Sequence, residues 1–245
     1  MPIHNYQAVL GGAGTLGGIA WTFADLIGDS DIGVWQDASD LTNQFQVSDG
    51  TGAAAVDSSI AYITDKGFDT YHAIQTTSTK EPILRENSGY YRWEFDGVDD
   101  HLLITPLIMA QPITLIVACR SNDLGGTKAI VGEDTFYLGM LSSGLFRFHA
   151  PSNKSSSGMW KETKLVVIAE FNGASSNAWA NNTQILTNGN PGANGLTEAA
   201  IGAREDGSIS WDGDIYQVFI INRLLTANER ALAMTYGGQK MGIIL

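Results

Sequence analysis

The chain has 245 residues, of which 44% are hydrophobic and only 16% charged, with 28 glycines; few charges and many glycines exclude a helical bundle and suit short strands joined by turns. A formal net charge of −12 repels phosphate backbones and excludes nucleic acid as a partner, and no run reaches the ~18 apolar residues of a membrane span, so no membrane insertion is expected. Cys119 is the sole cysteine, so no internal disulfide forms; it ends the apolar run 113–119 and reads as a small buried residue.

Residues 1–32 differ from the rest. Leu10-Gly11-Gly12-Ala13-Gly14 has the look of a phosphate loop but lacks the Gly-Lys-Ser/Thr ending. No basic residue precedes an apolar core at the start, so individual export is not expected. Glycine-rich chain pays a high entropic cost on ordering. The segment therefore reads as an N-terminal arm, either flexible and loosely packed or ordered by assembly, in which case its apolar members Ile19, Trp21, Phe23, Leu26 and Ile27 pack against a neighbouring subunit. Residues 33–245 read as one β-sandwich.

From residue 32 on, strand candidates follow one another at intervals of ~8–12 residues, the all-β pattern. They are predicted at 90–95, 101–106, 113–120, 135–141, 145–150, 164–171, 176–181, 183–186, 199–202 and 214–222. Ser142-Ser143-Gly144, Asn172-Gly173 and Asn181-Asn182 supply turns between them. The apolar runs 113–119 and 165–169 predict central strands covered on both sides. Phe146 and Phe148 alternate with Arg147 and His149, which predicts a strand with one wet face. Thr226-Ala227-Asn228-Glu229 is a capping box. It predicts a helix through Tyr236 that stops at Gly237-Gly238, with Leu225, Leu232 and Tyr236 facing the sandwich.

The hairpin Arg92-Trp93-Glu94-Phe95-Asp96-Gly97-Val98-Asp99-Asp100 stands among three further patterns: Trp35-Gln36-Asp37, Asp65-Lys66-Gly67-Phe68-Asp69, and the stretch from Trp211-Asp212-Gly213-Asp214 to the capping box. Together they resemble the concanavalin A-like (laminin G-like) jelly-roll domains found on bacteriophage particles and bacterial surface proteins. The resemblance implies an all-β jelly-roll β-sandwich with one short C-terminal helix. It implies a virion structural protein, a head or tail decoration, fibre or spike subunit, assembled in the host cytoplasm. Expected partners are other virion subunits through the arm, further copies of the chain, and a cell-surface glycan. The alternative is a glycan-degrading enzyme or a secreted bacterial lectin module on the same fold.

Glu94-Phe95-Asp96-Gly97-Val98 approaches the Glu-x-Asp-x-Glu row of jelly-roll glucanases, in which alternate carboxylates share a face. Val98 replaces the third carboxylate, and no Gly-x-Ser-x-Gly elbow is present, so the chain is expected not to be an enzyme. Asp96, Asp99 and Asp100, with Asp212 and Asp214, read either as solvated turns or as oxygen donors to Ca²⁺. No other cofactor is expected. His4, His72, His101 and His149 show no metal spacing, and His72 reads as loop-orienting. Trp160, Trp179 and His149 are the candidates for a glycan platform, because sugars stack on aromatic faces beside polar groups. Core burial is the alternative for both tryptophans.

Overall fold

A computed structural model of the chain describes residues 21–245 other than Asp29, Phe68, Asp69, Asp123 and Leu124. The glycine-rich run, the phosphate-loop lookalike and Ile19 lie outside the described residues. In chain order the strands are β1 (Gly33–Asp37), β2 (Gln44–Phe45), β3 (Tyr62–Ile63), β4 (Ala73–Ile74), β5 (Ile83–Asn87), β6 (Tyr90–Asp96), β7 (Leu102–Ile104), β8 (Ile113–Ser121), β9 (Lys128–Glu133), β10 (Phe136–Met140), β11 (Phe146–His149), β12 (Asn153–Ser155), β13 (Leu165–Phe171), β14 (Ser176–Ala180), β15 (Thr183–Gly189), β16 (Ala199–Ile201) and β17 (Asp212–Ile221). One α-helix, α1 (Ala227–Met241), follows them.

The strands form two antiparallel sheets, and the chain is an all-β sandwich. The first sheet runs β15-β14-β13-β8-β17-β6-β5, and the second runs β12-β11-β10-β9-β16-β7-β4-β3-β2. The long strand β17 organises the first sheet. One flank pairs with β8 along nearly its whole length. The other flank is shared, with β6 beside residues 212–215 and β1 beside residues 217–221. Each predicted strand is present, with ends shifted by a few residues. The sequence pattern misses β1, β5 and β12, it misses β9, whose apolar run Ala129-Ile130-Val131 breaks at Gly132-Glu133, and it misses the two-residue strands, which are too short to show a period.

Alternation divides the first sheet into two faces. Trp93 and Phe95 of β6, Leu115 and Val117 of β8, and Val167 and Phe171 of β13 point inward. They meet Phe136, Leu138, Phe146 and Phe148 of the second sheet. Cys119 is among them, and full burial pushes its thiol up to about 12. The outward residues Ile116, Ala118, Val166, Ile168, Phe219 and Ile221 form a second apolar layer. β8 and β13 are therefore buried on both faces, which is why their sequences are continuously apolar.

That second layer is closed by α1 and by the chain before β1. Phe23 and Leu26 are buried there, with the Phe23 ring 4.7 Å from Phe219 and 5.1 Å from Tyr236. Trp21 and Ile27 pack against the same cluster. The expectation that these four side chains face a neighbouring subunit is corrected. The outward face of β17 and β8 supplies the apolar surface that they need.

The helix begins as its capping box predicts. The Glu229 amide donates to Thr226 Oγ1 and the Thr226 amide to Glu229 Oε2. It does not stop at Gly237-Gly238, and it ends at Gly242, at φ 70°. Gly237 serves approach: a Cβ there would stand 2.9 Å from two methyls of Val166. The face turned to the sheet is Ala233, Met234, Gly237 and Met241, one stripe at helical spacing. Leu232 lies off it and is 39% exposed, so its expected packing on the sandwich is corrected. Leu225 is buried, and Tyr236 packs on the layer beside Phe23. No described helix is long and apolar enough to cross a membrane.

The recurring Asp65-Lys66-Gly67 pattern serves structure. Asp65 Oδ1 accepts the amides of Trp35 (2.8 Å) and Gly67 (2.9 Å). Lys66 lies over the Trp35 ring and reaches Asp37 and Asp40. His72 Nδ1 accepts the Asp65 amide, a loop-orienting role.

Candidate functional site

The helix covers only part of the first sheet's outer face. Past its end the outward positions of the same strands turn from apolar to charged. β8 continues from Ala118 to Arg120, the chain enters β13 through Lys164, and the first half of β17 carries Asp214 and Tyr216. β6 contributes Tyr90 and Arg92, outward because Trp93 and Phe95 point in. These residues, with Asn87 and Ser88 of the β5–β6 turn, line an open pocket of about 370 Å³.

Register builds the pocket floor. Asp214 stands opposite Arg120 on β8 and opposite Glu94 on β6. Arg92 Nε donates to Asp214 Oδ1 at 3.0 Å, and Arg120 Nη1 lies 3.6 Å from Oδ2. The Asp214 side chain is 9% exposed and that of Arg120 40%. Burial pushes the Asp214 carboxyl up, against the pull of the two arginines. Glu94 turns away to Arg85, which also holds Asp57. Lys164 Nζ donates to the Met241 carbonyl at the helix end and lies near the Tyr90 and Tyr216 rings, 5.4 and 5.8 Å from their centres. Burial, and next the Asp214 charge, push the Tyr216 hydroxyl up to about 12. Gly242 seats Tyr90, since a Cβ there would lie within 2.7 Å of three atoms of its ring and hydroxyl. Three cationic side chains thus face one carboxylate in a chain whose net charge is −12.

The structure does not bring the three expected glycan residues together. Trp179 lies on the outer face of the first sheet, where Arg230 covers its ring at 4.4 Å. His149 faces out of the second sheet, stacked on Tyr137 and bonded to Asn153. Trp160 lies between β12 and β13, packs on the inter-sheet core and donates to the Ser157 carbonyl.

The acidic residues divide as well. Ligand atoms of Asp96, Asp99 and Asp100 lie within 4.8 Å of one another. Asp96 Oδ1 accepts the amides of Val98 and Asp99, and Asp100 Oδ2 accepts that of Asp96. These bonds close the turn between β6 and β7. Burial, then the charges of Asp96 and Asp99, push the Asp100 carboxyl up to about 7. Asp212 pairs in register with Asp96 and accepts from Asn122. Asp214 belongs to the pocket.

Sequence reasoning missed Arg92, Arg120, Lys164 and Tyr90 as a site. A signal was present for two of them: the apolar run of β8 ends at Arg120, and that of β13 is preceded by Lys164. The partners are far apart in sequence, with Arg92 and Asp214 separated by 122 positions.

No family model matches the chain, and no curated protein matches it. Solved structures do. A Trypanosoma rangeli sialidase in complex with the inhibitor DANA is 13% identical over 85% of this chain and 33% of its own, with a TM-score of 0.56. Domain 4 of AbnA, a GH43 extracellular arabinanase from Geobacillus stearothermophilus, in complex with arabinotriose, is 11% identical over 69% of this chain and 92% of its own, with a TM-score of 0.54. At these identities the likeness establishes the fold, a β-sandwich. The chain spans about a third of the length of the sialidase chains it matches. The expectation that the chain is not an enzyme is corrected by these matches, because chains sharing its fold are sialidases and part of an arabinanase.

Proposed function

We propose that the chain is a glycan-binding β-sandwich module of a glycan-active protein. The pocket at the open end of the first sheet carries this reading. Its volume lies in the range of small-ligand sites. Tyr90, 36% exposed, offers a ring face for stacking, and Asn87, Ser88 and the arginines offer donors for sugar hydroxyls. The fold likeness to an arabinanase domain in complex with arabinotriose supports the same reading. A bacteriophage structural role draws on no observation in the fold or the comparisons, and glycan binding, its alternative, takes its place.

The test is calorimetric titration of the chain with arabino-oligosaccharides, sialylated and uronate-containing oligosaccharides, and neutral galactosides. At least one should bind, and Tyr90→Ala should weaken it about tenfold, equivalent to ~1.4 kcal/mol. Binding that Tyr90→Ala leaves intact moves the site elsewhere. Silence across the panel rejects the reading.

A further inference from the structure

We infer that this pocket selects sugars bearing an anionic group, a carboxylate or a sulfate, seated between Arg92 and Arg120. The inference rests on the glycan-binding reading and names the ligand class of that site.

The argument begins with the donor count. A guanidinium carries five N–H donors in a planar fork suited to carboxylates and sulfate-like anions. Arg92 spends one on Asp214, through Nε. Among the described residues, Arg120 makes a 3.6 Å approach to the same carboxylate. Two guanidinium groups therefore share one acceptor, and that acceptor lies beneath them, nearly buried, while Arg120 is substantially exposed. Both guanidinium side chains line the open pocket. Asp214 shows what the pair is able to hold, since it spans both arginines with one carboxylate. A ligand anion above them would complete a second layer of the same contacts.

Long-range charge points the same way. The rest of this acidic chain repels anions, so a local excess of three cations over one carboxylate is a focused attractive patch. Lys164, fixed by the helix end, sets the positive wall beside Tyr90. A sugar ring stacked on Tyr90 could direct an acidic substituent toward the arginines. Such a patch discriminates by charge, because a neutral sugar offers the guanidinium donors only uncharged hydroxyls.

The experiment uses the whole chain and matched ligand pairs: trigalacturonate with its methyl ester, sialyllactose with lactose, and a sulfated chondroitin tetrasaccharide with its desulfated form. Titrations are run at low and high salt. The acidic member of a pair should bind at least tenfold more tightly than the neutral one, and the preference should shrink with salt. The carboxylated and sulfated pairs separate the two sources of charge. Arg120→Gln should erase the preference, because the acidic member of each pair loses at least tenfold more affinity than its neutral partner. Asp214→Asn should strengthen acidic binding severalfold, because it removes the competing carboxylate; damage to the fold would weaken both members of each pair. Equal affinity within all pairs, or an Asp214→Asn variant that loses the acidic ligand, overturns the inference and keeps the glycan reading. Failure of every sugar to bind overturns both.

Discussion

The outer face of the first sheet has two halves built from the same strands. Under the helix, β8, β13 and β17 present Ile116, Ala118, Val166, Ile168, Phe219 and Ile221. Past the helix end the same neighbourhood presents Arg120, Lys164, Asp214 and Tyr216. Strand geometry is continuous across the boundary, so the difference lies in what stands above the sheet. Apolar outward positions occur where another segment buries them, and charged ones occur where water or a ligand reaches them. A sheet face thus records its own cover, and the point where the chemistry changes marks the edge of the cover.

The largest expected effect breaks the covered half. Phe23 is almost completely buried between Phe219 and Tyr236, on a segment with little regular structure of its own. Phe23→Ala should cost about 3–5 kcal/mol, the range for a buried aromatic replaced by Ala. Urea unfolding monitored by tryptophan fluorescence measures it. A loss below ~1 kcal/mol would mean that residues 21–32 leave the sheet in solution, and the cover would then consist of the helix alone.

The second effect concerns the turn that leads from β6 to the second sheet. Asp100 is buried in the turn that follows β6, and its carboxyl is pushed up to about 7. In the unfolded chain it would ionise near the ordinary 3.8. Between those values the folded state keeps a proton that the unfolded state releases, so stability falls as pH rises from about 4 and levels off above about 7. At one pKa unit per 1.36 kcal/mol the full swing is at most about 4 kcal/mol, and about 2 kcal/mol is a reasonable expectation once the turn relaxes. Asp100→Asn keeps the acceptor for the Asp96 amide and removes the charge. It should flatten that slope and gain most at pH 8. Identical pH slopes in the two proteins would refute the assignment. Stabilisation of the wild type by Ca²⁺ that is lost in Asp100→Asn would instead identify the turn as a cation site.

Much of the sandwich is legible in the sequence because alternation and continuous apolar runs report burial directly. The runs at 113–119 and 165–169 announce strands covered on both faces, and the cover is there. The helix start is legible because a capping box is local. Its end is not, because Gly237 looks like a stop until Val166 of a distant strand is seen against it. The role of Phe23 and Leu26 is hidden for the same reason: Phe219 and Tyr236 pack on Phe23 from the far end of the chain, and Arg223 reaches the Leu26 carbonyl across 197 positions. The pocket is hardest of all. Arg92, Arg120, Lys164 and Asp214 come from four separate stretches, and only the register of β17 against β6 and β8, and of β13 against β8, places them together.

The smallest expected effect probes how the cover is anchored. Thr226 caps α1 with a 3.3 Å bond from the Glu229 amide, long for a hydrogen bond. The reciprocal bond from the Thr226 amide to Glu229 is 2.7 Å, and it needs no threonine side chain. Arg223 holds the Glu229 carboxylate through two nitrogens and also donates to the Leu26 carbonyl, which ties the helix start to the segment bearing Phe23. Thr226→Ala should therefore cost only about 0.5–1 kcal/mol, the low end for a lost cap. Thr226→Ser should restore most of it. Chemical denaturation of the three proteins side by side gives the ranking. If Thr226→Ala costs as much as Phe23→Ala, the hydroxyl is what holds the helix in place, and the division of the sheet face would depend on the cap more than on the apolar layer beneath the helix.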